Sequence, residues 1–156
     1  MVERIISGGQ TGADRGALDA AIDLAIEHGG FCPRGRRAED GRIPDRYALV
    51  ETESRDYASR TEANVLEADA TVLITRGRPT GGSALTARLV RRHGRPLCHL
   101  DLDREPQPVR TLRAFLRDSG ARALNVAGPR ESHCPGIRRD TYALLVEALG
   151  PPSATA

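Results

Sequence analysis

Nine residues, Ser7-Gly8-Gly9-Gln10-Thr11-Gly12-Ala13-Asp14-Arg15, follow the apolar run Val2 to Ile6 and carry the first recognisable chemistry in the chain. A strand that ends in a glycine-rich turn and feeds a helix can hold an anion. Glycine permits positive φ and puts no Cβ between backbone and ligand. The first helical turn then offers unpaired N–H groups at the positive end of its dipole. The loop lacks the lysine of GxxxxGK[ST], since the chain contains no lysine, and it lacks the spacing G-x-G-x-x-G. The expectation is therefore an oxyanion held by backbone amides without either fingerprint. The plainer reading is a tight strand-to-helix turn and nothing more.

A second stretch of the same kind, Arg76-Gly77-Arg78-Pro79-Thr80-Gly81-Gly82-Ser83, lies between the apolar run Thr71 to Thr75 and a helix expected over Ser83 to His93. Thr80 and Ser83 suit a helix cap, and Gly81-Gly82 admit a ligand against the backbone. A third polar turn, Asn125 to Ser132, contains Gly128, Arg130 and Glu131. In an open parallel sheet such turns line one crevice where the strand order reverses. Gly9, Thr11, Gly82 and Asn125 are thus expected to line a shared cleft. A bulky residue at Gly9 is expected to block it while leaving the fold intact.

The connection from Pro33 to Tyr47 carries Arg34, Arg36, Arg37, Arg42 and Arg46. Long loops in compact domains usually bind something, although a solvated basic loop is the simpler alternative. Arg60 and Asn64 share a helix face and either could point at the loop bundle. Cys32, Cys98 and Cys134 form an odd set without CxxC spacing, so no disulfide framework is expected. Cys32, His133 and Cys134 lie on segments expected to leave strand ends, but zinc sites normally declare themselves by ligand spacing, and no metal is expected.

The elements that must position these loops alternate along the chain. Strands are expected at Val2 to Ile6, Phe31 to Cys32, Ala48 to Glu51, Thr71 to Thr75, Pro96 to Asp101 and Ala123 to Val126. Helices are expected from about Thr11–Ala13 to Glu27, stopped by Gly29-Gly30, and over Tyr57 to Ala68, Ser83 to His93, Val109 to Ser119 and Gly136 to Leu149. In the first helix Ala13, Gly16, Ala17, Ala20 and Ala21 would let it lie close on a sheet, while Leu18, Ile22, Leu24 and Ile26 supply bulk. In the second, Ala58, Val65 and Leu66 are spaced for burial. TVLIT reads as a strand covered on both faces. The pattern defines a single three-layer α/β domain over 1–150, with a mainly parallel central sheet and helices on both faces, and a disordered tail over 151–156.

Composition agrees with one folded domain: 156 residues, 39% apolar, and a net charge of only +2. So small a charge gives no general reason to expect nucleic acid or an anionic membrane as partner. All 23 basic residues are arginine, which removes any Schiff-base or general-base lysine. The chain shows no signal peptide and no apolar run long enough to span a bilayer, so a cytoplasmic location is expected.

The motifs ISGGQTGADRGALDAA, CPRGRRAEDG, RTEANV, ADATVLITRG-x-x-TGGSALT and NVAGPRES, in this order from Ile5 to Leu149, resemble the family of molybdenum carrier proteins. That family is grouped with the circularly permuted YpsA-type members of the SLOG superfamily. The resemblance implies a Rossmann-like fold, a phosphorylated nucleotide-like or pterin ligand, and molybdenum cofactor or a nucleotide as the cofactor to consider. Homo-oligomerisation is left open.

On that reading Gly8, Gly9, Gln10, Thr11 and Gly12 hold one phosphate, and Thr80, Gly81, Gly82 and Ser83 hold another or a sugar. Arg15, Arg34, Arg76 and Arg130 neutralise charge, and Asn64 and Asn125 orient the ligand. Asp14 accepts from a ribose hydroxyl or stabilises the helix start. The alternative is a hydrolase like the superfamily's phosphoribohydrolases, whose PGGxGTxxE pattern resembles TGGSALT. Laid on Thr80-Gly81-Gly82, that pattern puts Arg88 at the glutamate, so the carboxylate for an oxocarbenium-like centre would have to come from Asp14, Glu62 or Glu131. Binding is the favoured reading.

Overall fold

In a computed structural model, which describes residues 1–152, Ala70–Thr75 (β7) is buried along its whole length. It has Leu97–Asp101 (β8) on one side and Ala123–Ala127 (β9) on the other. Arg4–Ile6 (β1) pairs with the far side of β9, and Glu27–Gly29 (β2) closes that edge. All four pairings are parallel, and the order is β2-β1-β9-β7-β8. Because side chains alternate along a strand, Val72 and Ile74 of β7 and Leu124 and Val126 of β9 enter the main core. Thr71 and Asn125, partners in register, lie on the opposite face.

Helices cover both faces. Ala13–Asp23 (α1), Pro108–Ser119 (α4) and Ile137–Leu149 (α5) pack on the side of the main core. Tyr57–Glu67 (α2) and Gly81–Arg92 (α3) pack on the other, around Val65, Leu89 and Val90. This is the three-layer α/β architecture. The switch point lies between β1, whose chain leaves towards β2, and β7, whose chain leaves towards β8, with β9 between them. The loops after β1, β7 and β9 therefore converge at one sheet edge.

The structure corrects several expectations. The first helix stops at Asp23, not near Glu27. Ala25 has φ 55, a left-handed conformation that no helix continues through, and Glu27–Gly29 becomes an edge strand. The segment is too polar to show a strand period. The small residues of α1 serve a helix as much as the sheet: a Cβ on Gly16 would meet the Arg138 carbonyl of α5. Ile22 and Leu66 are exposed, and Ala58 is exposed too; on α2 the buried positions are Asn64 and Val65. Residues 153–156 of the expected tail lie outside the described residues.

Between β2 and α2 the chain forms a small insert. Phe31–Cys32 (β3) pairs with Val50–Glu51 (β6), and Arg37–Ala38 (β4) turns back on Gly41–Arg42 (β5). Leu18, Cys32, Ala38, Ile43 and Tyr47, with Leu49 against them, give the insert its own apolar centre. Arg36 is buried and donates to the carbonyls of Ile43, Pro44 and Tyr47. One of the arginines that looked free for a ligand thus satisfies backbone that would otherwise be unpaired.

Candidate functional site

A cleft of about 190 Å³ opens where the loops after β1, β7 and β9 meet α2. Of the residues singled out in the sequence, Gly8, Gln10, Asp14, Asn64, Thr80 and Gly81 line it. So do Gly82, Ser83, Asn125, Gly128 and Arg130. Gly9, Thr11, Gly12, Arg15, Arg34, Arg76 and Glu131 are not among its lining residues.

The expectation that Gly9 and Thr11 share the cleft with Gly82 and Asn125 is corrected by the contacts of the first glycine loop. Gly9 has φ 78, and a Cβ there would lie 2.6 Å from Leu49 Cδ1 and 3.1 Å from Ile43 Cδ1 of the insert. Gly12, at φ 81, packs on the backbone of Pro129 to Glu131. The Ala13 amide, one of the free donors at the start of α1, donates to the Pro129 carbonyl at 3.2 Å. Thr11 Oγ1 donates to Glu39 and accepts from the Glu131 amide. Arg15 gives both terminal nitrogens to Asp40 and its Nε to the Gly9 carbonyl. The positive end of α1 is covered by the chain itself.

The second loop is arranged differently. Thr80 is the N-cap of α3 without a side-chain cap, and Thr80 O accepts from the Ser83 and Ala84 amides. A Cβ on Gly81 or Gly82 would meet no protein atom within 4 Å, so their lack of a side chain leaves open space over the helix end. Gly81 also has φ 50, which favours glycine.

Three residues lining the cleft carry unpaired donors. Gln10 is buried, and its Oε1 accepts from the amides of Thr11 at 3.0 Å and Glu39 at 2.9 Å. That fixes the amide's orientation and presents Nε2, which has no hydrogen-bond partner among the described residues. Ser83 Oγ and Arg60 Nε are likewise buried and unpartnered, and their residues line the same cleft. Buried polar atoms are nearly always paired, so three orphans on residues that line one cavity call for a partner. Each can donate, so the partner that fits is an acceptor.

Asp14 is the one carboxylate in the lining. Its Oδ2 accepts from the Gln10 amide at 3.1 Å and from Arg60 Nη1 at 2.9 Å. Burial pushes its carboxyl above the ordinary carboxylate range, and the Arg60 charge and hydrogen bonds oppose that without cancelling it. The other carboxylates considered for hydrolysis are engaged elsewhere. Glu131 accepts from the Gly136 and Arg138 amides at the start of α5, and Glu62 lies 3.3 Å from His93.

Asn64 holds both backbone groups of Phe31, with Oδ1 accepting at 2.7 Å and Nδ2 donating at 3.0 Å, and so ties α2 to the insert. Asn125 Nδ2 donates to Thr71 Oγ1 at 3.2 Å. Arg76 pairs with Asp103 and Asp140, and Arg34 is exposed on the insert. Tyr57, Thr61, Leu85, Pro129 and His133 also line the cleft. Thr61, Leu85 and Pro129 fall inside the motifs RTEANV, TGGSALT and NVAGPRES without being singled out there, and His133 enters the sequence reading only as a metal ligand; Tyr57 lies in no motif and arrives as the first residue of α2. Among the described residues no three His, Cys, Asp or Glu side chains are grouped to hold a metal ion. Burial raises the thiols of Cys32 and Cys134, and that of Cys98 to about 11, which disfavours thiolate chemistry.

A parallel sheet covered by helices on both faces, with a cleft at its switch point, defines a Rossmann-like domain. The chain belongs to the circularly permutated YpsA SLOG family, whose sequence profile matches residues 5–149. A solved structure named "Putative molybdenum carrier protein", from Syntrophus aciditrophicus SB, is 44% identical to it. The two superpose with a TM-score of 0.93, covering 96% of each chain. No curated protein matches the chain. Among the described residues, no helix is long and apolar enough to cross a membrane.

Proposed function

We propose that this protein binds or carries a small phosphorylated ligand, nucleotide-like or pterin, whose phosphate sits on the N-terminal end of α3. The observation that carries the reading is the donor set: Gln10 Nε2, Ser83 Oγ and Arg60 Nε, all buried and unpartnered, on residues that line the same cleft as Gly81 and Gly82, where a Cβ would meet no protein atom within 4 Å. Backbone amides, a helix dipole and charge-assisted donors together favour phosphate over a neutral group. The cleft's 190 Å³ is below the roughly 300–1,000 Å³ that encloses a whole drug-sized ligand, so the phosphate end enters and the remainder extends to the mouth.

The structural relative's name points to molybdenum. The donors here fit the phosphate of a pterin cofactor, and a metal would arrive already bound to that ligand. Asp14, tied to Arg60 and Gln10, is better placed to fix Arg60 than to attack or protonate a glycosidic bond, so binding without turnover is the preferred activity.

Native mass spectrometry of freshly purified protein is expected to show a co-purified phosphorylated pterin or nucleotide. Titration calorimetry with inorganic phosphate is expected to show one site that weakens about tenfold in Ser83→Ala, as loss of a hydrogen bond to a charged group implies. No phosphate binding, and no co-purified phosphorylated ligand, would remove this reading.

A further inference from the structure

Three guanidinium groups lie around the ring of Tyr57, which lines the cleft together with Arg60 and Arg130, while Arg37 stands outside the lining on the insert. Arg37 Cζ lies 5.0 Å from the centroid of Tyr57, Arg130 Cζ 5.5 Å and Arg60 Cζ 5.7 Å. Few acids balance them. Asp14 holds Arg60. Glu39 reaches Arg130 only at 3.9 Å and accepts instead from Thr11 and Ser132. The hydrogen bond Arg37 makes is to the Arg55 carbonyl, which carries no net charge.

We propose that the ligand carries a second anionic group and that Arg130 and Arg37, set around Tyr57, receive it. The proposal rests on the reading that a first phosphate sits at the end of α3. Attraction to the ring is modest for each cation and leaves their mutual repulsion in place, whereas an anion among them relieves it. Tyr57 and Arg130 line the same cavity as Gly81 and Ser83, so the two positions are continuous. Guanidinium forks match phosphoryl oxygens, and a cavity that takes one phosphoryl group leaves the next at its mouth. The ligand class is accordingly a diphosphate or a diphosphate ester rather than a monophosphate.

The test is calorimetry on the full chain at constant ionic strength, comparing phosphate with pyrophosphate and adenosine monophosphate with adenosine diphosphate. The second pair separates an ester from the free diphosphate. In at least one pair the diphosphate is expected to bind about tenfold tighter, as an added charge-assisted contact implies. Arg130→Gln should reduce that ratio to about threefold or less. Arg37→Gln, at an exposed position, should narrow it in the same direction and guards against misfolding of the first variant. A ratio near one in both pairs, or a ratio untouched by both substitutions, overturns the proposal while monophosphate binding still supports the α3 site. Absence of monophosphate binding overturns both.

Discussion

Arg60 Nη1 lies 2.9 Å from Asp14 Oδ2, and the same guanidinium occupies the space that a side chain on Gly8 would need. Residues from the first glycine loop, the start of α1 and the middle of α2 are thereby locked in one contact. With side-chain exposures of 12% and 7% the pair is shielded from solvent, so removing one partner strands the other. Arg60→Ala is expected to cost about 3 kcal/mol in urea unfolding at neutral pH, the lower end of the range for a broken buried pair. The value is at the lower end because Asp14 can take up a proton. With its folded pKa raised above the ordinary 3.8, ionisation opposes folding, so the variant should lose stability as pH rises through that folded pKa. An Arg60→Ala loss that is the same at pH 4 and pH 8 would contradict this account.

The two glycine loops should respond oppositely to substitution. Gly82→Val places its side chain where no protein atom lies within 4 Å. The apo stability should stay within the range of a surface change, about ±0.5 kcal/mol, while the stabilisation by added phosphate disappears. Gly9→Val, which the sequence alone suggests as a clean block of the site, instead forces a β-branched residue into φ 78 against Leu49 and Ile43. It should destabilise the apo protein by about 2 kcal/mol or more, from strain plus overpacking. Thermal melts with and without phosphate distinguish the two patterns.

Acid should loosen the molecule through a defined group of carboxylates. The backbone amides of Ala123 and Arg122 hold the Asp69 carboxyl below its usual range, and Arg15 does the same for Asp40. Burial pushes Glu39 up, but hydrogen bonds from Ser132 and Thr11 outweigh it and leave it lowered. Groups with depressed folded pKa values contribute stability that is present above the ordinary values, 3.8 for Asp and 4.5 for Glu, and is lost as pH falls through the folded ones. Hydrogen exchange at pH 3 should show protection falling first in the insert, which Glu39 and Asp40 fasten to the β9–α5 loop and to α1. Uniform loss across the sheet would argue against it.

Nucleoside monophosphates incubated with the purified protein are expected to release no free base beyond the blank, while phosphorylated ligands still bind. Chromatographic detection of the base is the measurement. Release that vanishes in Asp14→Asn would reverse the preference for binding and assign Asp14 a catalytic role.

Much of the fold is legible in the residue pattern, because local rules suffice for it. TVLIT is too uniformly apolar for a surface segment, and it is the most deeply buried strand. The stretch from Gly77 to Ser83 requires a turn that only glycine-rich sequence makes readily, and α3 starts there. The edge strand Glu27–Gly29 is not legible, because an edge strand needs one bonded neighbour and no apolar period, and nothing nearby advertises the left-handed turn at Ala25. Likewise, the arginines of the insert read as one basic loop, although Arg36 is consumed by its own carbonyls.

By itself the sequence determined a parallel α/β domain with glycine-rich turns at the carboxyl ends of its strands, because φ freedom and strand burial are properties of short segments. Which of two similar helix ends remains open to a ligand was decided only by the tertiary structure. The amide of Ala13 is spent on the carbonyl of Pro129, and Gly9 lies beneath Ile43 and Leu49, residues far from it in sequence. Over Gly81 and Gly82 no such chain passes. A free N–H is a local property until something distant covers it, and whether it stays free depends on contacts that no local pattern encodes.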